Sequence, residues 1–186
     1  MLSFLRALTA SLALTACAAI VPSTATRLAA FDPLTVDPAV VELVVILPPG
    51  LSVIPGSARL ELTAVRGDAR REGSFRLADR PVAQGLDLPP GASARRFAIA
   101  EADVPRMRAL QDDIAAWKRT GDARGSLGLG IGGCAVGAGP AADARGSVLI
   151  RVTAEGPFLP LIDKARLADL LGAEVLAAIK SCKGAE

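Results

Sequence analysis

The sequence predicts an α+β fold, with about six short, mainly antiparallel strands in a twisted sheet or small sandwich and two helices packed on it. Two observations carry this. Short runs of β-branched or alternating residues are separated by Pro and Gly turns, and four of these runs precede any helical pattern. Only residues 103–121 and 163–182 place apolar side chains at three- and four-residue steps.

The first predicted strand is Val40 to Leu47, VVELVVIL, which is short, rich in β-branched residues and stopped by Pro48-Pro49-Gly50. Its composition predicts burial on most of both faces. Arg59 to Arg66 alternates, with Leu60, Leu62 and Ala64 on one side, and Gly73 to Asp79 repeats the pattern with Phe75 and Leu77 inward. The linker GDARRE makes these two a hairpin with one solvated face. After the turn LPPGAS, the run Ala94 to Ala100 brings Phe97 and Ile99 together on one side.

Asp103 is expected to cap the first helix, with Pro105 tolerated in its first turn and Gly121 as its stop. Val104, Met107, Leu110, Ile114 and Trp117 form its apolar stripe, which assigns Trp117 to the core rather than to a ligand platform. The second helix is expected from Asp163 to Cys182, with Gly172 bending or breaking it and Cys182 on its inward side.

Between the helices lies SLGLGIGGCAVGAG, in which Gly128, Gly130 and Gly133 match G-x-G-x-x-G. A dinucleotide fingerprint needs a strand before those glycines and a helix after them. Here a helix precedes and AVGAGPAADARG follows, so the stretch reads as a strand with Leu127, Leu129 and Ile131 on one face and bare backbone on the other. Gly146 to Ala154 is expected to complete a hairpin with it, and the C-terminal helix to cover the glycine face.

The first sixteen residues, MLSFLRALTASLALTA, contain one charge, Arg6, and the uncharged run continues from Ala7 to Val21. That run is shorter than the roughly 20 apolar residues a membrane-crossing helix needs and is interrupted by Thr9, Ser11 and Thr15, so it reads as an export signal. Leu14-Thr15-Ala16-Cys17 closes it. These four residues resemble the signal of bacterial lipoproteins, in which the cysteine thiol receives a diacylglyceryl group and the peptide is cut just before it. An ordinary signal peptide cut after Ala18 is the alternative. The resemblance implies lipidation of Cys17 and attachment to a bilayer by more than one acyl chain, which holds a protein stably where one chain does not. With Ala18 rather than Asp after the cysteine, it further implies the periplasmic face of the outer membrane.

The expected organisation is a signal peptide at 1–16, a lipidated N-terminus and tether at 17–38 that becomes ordered near Phe31, and one globular α+β domain at 39–186. Acidic residues number 19 and basic residues 21, one of them in the leader, so the mature chain is near neutral. Pairs such as Arg70-Arg71, Arg95-Arg96 and Asp112-Asp113 read as solvated faces, and no nucleic-acid partner is expected. Once Cys17 is lipidated, Cys134 and Cys182 remain in an oxidising compartment, which predicts a structural disulfide; two separate buried thiols are the alternative.

The chain contains no His and no Tyr, which rules out Ser-His and Cys-His nucleophile pairs and His-based zinc sites. Neither S-x-x-K nor G-x-S-x-G occurs. No catalytic residue, metal ligand or cofactor is therefore assigned. The leading expectation is a non-enzymatic envelope lipoprotein anchored through its lipid, binding an envelope protein as an assembly or stabilising factor. A carrier of an apolar or lipid-like ligand is second, and a carboxylate-dependent hydrolase third.

Overall fold

The computed structural model describes residues 34–82 and 85–182, so the lipidation site expected at Cys17 lies outside the described residues. The architecture is α+β. Seven antiparallel strands form one curled sheet, and a separate two-stranded sheet lies beside it. The large-sheet strands are β1 (Glu42–Leu47), β3 (Arg59–Arg66), β4 (Ala69–Arg80), β5 (Ser93–Ile99), β6 (Arg124–Gly130), β8 (Arg145–Arg151) and β9 (Leu159–Arg166). Their order across the sheet is β6-β3-β4-β5-β1-β8-β9. The small sheet pairs β2 (Leu51–Val53) with β7 (Gly133–Ala135).

Strand β3 has the predicted bounds, and Leu60, Leu62 and Ala64 are buried as its alternation requires. Strand β4 starts earlier than its apolar pattern suggests. The turn is only Gly67-Asp68, with Gly67 at φ 56° supplying the left-handed first position of a tight hairpin turn, so Ala69 to Glu72 already pair with β3. Along its length β4 changes partner: Ala69 to Arg76 pair with β3, and Leu77 to Arg80 pair with β5. The sheet curls round the apolar stripe of helix α1 (Val104–Arg119), burying Phe75, Leu77, Phe97 and Ile99 against Val104, Met107, Ile114 and Trp117. Gly73 sits beneath that helix, where a Cβ would lie 2.8 Å from Leu110 Cδ2. Arg66 and Arg71 guanidinium groups each lie 4.7 Å from the Trp117 ring centroid, which makes Trp117 a packing residue of the core.

Several expectations are corrected. β1 begins at Glu42, because Pro38–Val40 form a 3-10 turn capped by the Asp37 side chain. Residues 34–38, past the point near Phe31 where order is expected, pack on α1: Leu34 and Val36 join the core, Asp37 pairs with Arg108 at 2.6 Å, and the buried Gln111 donates to the Val36 carbonyl. β6 forms no hairpin with β8; it pairs with β3, and β8 pairs with β1 and β9. Residues 159–166 are strand, and the C-terminal helix is two short ones, α2 (Leu167–Leu171) and α3 (Ala173–Ala177), broken at Gly172 with φ 90°. Cys182 lies beyond both of them, and the glycine face of β6 is exposed rather than covered by a helix.

Asp103 precedes α1, but its carboxylate caps no helical N–H. It turns to the sheet instead. Oδ2 accepts the Arg76 backbone N–H at 2.7 Å and Oδ1 accepts from Arg106 Nη2 at 3.1 Å, which extends the β4–β5 ladder by one bond beyond Ile99. The Arg76 N–H, aided by the Arg106 guanidinium and opposed by burial, holds this carboxyl below its ordinary value of 3.8. A depressed folded-state value contributes stability above the unfolded-state pKa and loses it as the pH falls through the folded-state value. Asp103→Asn is therefore expected to cost about 1.5–3 kcal/mol at pH 7. The difference from wild type should shrink below about pH 4, as urea midpoints measured between pH 7 and pH 3 will show.

Candidate functional site

The two cysteines predicted to pair do so. Cys134 on β7 and Cys182 beyond α3 are at disulfide distance, with Cα atoms 4.9 Å apart at a sequence separation of 48. Around this link the backbone makes a third rung. Ala135 N–H donates to the Lys180 carbonyl and Cys182 N–H to the Ala135 carbonyl, both at 2.9 Å, so Ser181 bridges β7 in parallel. β7 is thus held between β2 on one side and the C-terminal segment on the other. Leu51 of β2 is buried against Ala144, Leu167 and Leu176, which seats α2 and α3 on the same module.

Two open grooves flank this small sheet. The larger, about 680 Å³, has walls from the two predicted turns, Pro48-Pro49-Gly50 and Pro89, and from the 136–144 loop. Gly50 (φ 84°) is required here twice over: its backbone conformation is left-handed, and a Cβ would run into the Gly139 carbonyl. Arg145 and Lys164 supply its cations and Asp143 its acid. Arg145 Nη1 donates to the Lys164 carbonyl at 2.8 Å, and the Lys164 N–H to Ser147 Oγ at 2.9 Å. These bonds hold Lys164 at φ 46°, the one positive value outside glycine among the described residues.

The second groove, about 500 Å³, is walled by Ile54, Pro55, Val136, Lys180 and both half-cystines. Ile54 and Val136 are 44% and 45% exposed, and Val136 lines both grooves. The groove thus holds two solvent-facing aliphatic side chains in a wall fixed by a covalent link. Sequence reasoning found the cysteines and both turns but not their convergence, because β2 and β7 are three residues each and too short to show a period.

The sheltered carboxylates are occupied elsewhere. Asp103 serves the β4 backbone, and Glu42 on β1 lies between Arg96 of β5 and Arg151 of β8. Arg96 grips it with Nη2 at 2.5 Å and Nε at 3.1 Å, while Arg151 Nη2 contacts Oε2 and its guanidinium lies 4.9 Å from the Phe158 ring centroid. Among the described residues no three His, Cys, Asp or Glu side chains converge as a metal site would require, and no helix is long and apolar enough to cross a membrane. No family model matches this chain, and neither a curated protein nor a solved structure is detectably similar to it.

Proposed function

We propose that this is a non-enzymatic lipoprotein of the bacterial envelope, held by acyl chains on Cys17 at the periplasmic face of the outer membrane, that binds an envelope protein through its disulfide-stapled small sheet. The anchor rests on the resemblance of Leu14-Thr15-Ala16-Cys17 to the lipoprotein signal. The observation that carries the binding role is the groove in which Ile54 and Val136 stand exposed beside the Cys134–Cys182 link. Both grooves open to solvent, which suits a protein segment better than an enclosed acyl chain. A hydrolytic role finds less support, since Glu42 and Asp103 are committed to arginines and backbone.

A photo-crosslinking residue at position 136, in protein expressed in native membranes, tests the reading. A discrete adduct from position 136, with none from Asp68 at the β3–β4 turn, is the expected outcome. Equal, diffuse labelling from both positions contradicts it. Mass measurement of the processed N-terminus tests the anchor separately, the expected species carrying acyl groups on Cys17.

A further inference from the structure

The two edges of the large sheet differ in kind. β9 carries the devices that keep an edge from pairing: Pro160, register shifts against β8, the charges of Asp163 and Lys164, and the left-handed backbone at Lys164. β6, at the other edge, has no proline, register shift or left-handed residue, and its one charge is Arg124 at its start. It pairs with β3 in unbroken register from Arg124 to Gly130, contains no proline, and is exposed over most of its length. Its glycines answer no internal crowding, because a Cβ at Gly125, Gly128 or Gly130 would meet nothing closer than 3.7 Å. Beside it, Leu127 is 45% exposed at a notch of about 190 Å³ walled by Leu34, Leu62, Ile114 and Lys118.

We infer that β6 accepts an extended segment of a partner protein as an added strand, with an apolar side chain of that segment entering the notch at Leu127 and an acidic one meeting Lys118. Charge selects this occupant. Lys118, Arg119 and Arg124 have no ion pair among the described residues, although Asp122 is close to them in sequence. A second copy would bring its own β6, Arg-Gly-Ser-Leu-Gly-Leu-Gly, which contains no acid. Residues 18–33 of this chain carry two charges, Arg27 and Asp32, which cancel. Neither complements the surface as an acidic strand does. This site is separate from the stapled small sheet and stands or falls independently of it.

The test uses the full chain in non-ionic detergent and two capped peptides that match β6 in length, both with valine at alternate positions, one ending in glutamates and the other in lysines. The glutamate peptide is expected to slow amide exchange across residues 124–130 and to bind about fivefold tighter than its lysine twin. Lys118→Glu, at an exposed position, should abolish or invert that preference. Unchanged exchange at β6, or a preference that Lys118→Glu leaves intact, overturns the inference. So does protection of β6 without peptide: if independent of protein concentration it assigns the edge to the chain's own N-terminal segment, and if it rises with concentration, to a second copy.

Discussion

Glu42→Gln is expected to destabilise the fold by about 3–5 kcal/mol, among the largest effects of any single charge change in this protein. Glu42 is the anion of a three-strand clamp: its side chain is 13% exposed, and those of Arg96 and Arg151 are 21% and 22% exposed. Arg151 stands directly across β1–β8 from it, and Arg96 reaches it diagonally from opposite Val44. Without the carboxylate, two guanidinium groups withdrawn from water face each other, and Arg151 Nε is already buried with no hydrogen-bond partner. At a urea dependence of about 1–3 kcal/mol per molar, the midpoint should fall by more than about 1 M. The contrast that isolates the cause is a triple replacement, Glu42→Leu with Arg96→Met and Arg151→Met, which removes both signs together and should recover most of the loss. A Glu42→Gln midpoint within about 0.3 M of wild type would show that water, not Glu42, satisfies the arginines.

That clamp also marks how far the sequence could be read. One glutamate inside VVELVVIL is a visible signal, since a charge in a strand buried on both faces needs a partner. Its partners are 54 and 109 residues away and become neighbours only through the order β5-β1-β8. Periodicity located β3, the stripe of α1 and the inward residues Phe75, Leu77, Phe97 and Ile99, because those positions alternate or repeat over several turns. It failed at 163–166, where the three- and four-residue spacing from Leu167 onward could be extended backward into an edge strand. At Asp103 a carboxylate before a helix predicts a cap, whereas the structure gives it the N–H of Arg76 on β4, a partner 27 residues away that no local pattern shows.

The second large effect is expected from Cys134→Ser with Cys182→Ser. Closing the 48-residue separation restricts the unfolded chain by about 4 kcal/mol in the chain-entropy account, so the double variant should lose stability of that order. Wild-type protein unfolded in the presence of a thiol reductant should match the variant, and the variant should not respond to reductant. The loss should also be unevenly distributed. β7 holds residues 180–182 by only the two backbone bonds at Ala135, whereas β3 is held on both sides by β4 and β6. Amide exchange at Ala135 and Cys182 should therefore rise far more than at Leu60 or Leu62. Because Lys180, Ser181 and Cys182 wall the groove that exposes Ile54 and Val136, the same variant should lose the crosslink from position 136 while Leu60 and Leu62 stay protected. Equal midpoints for wild type and variant would mean that the packing of Leu51 on Leu167 and Leu176 already holds the C-terminal segment in place, leaving the covalent link without a role in shaping that surface.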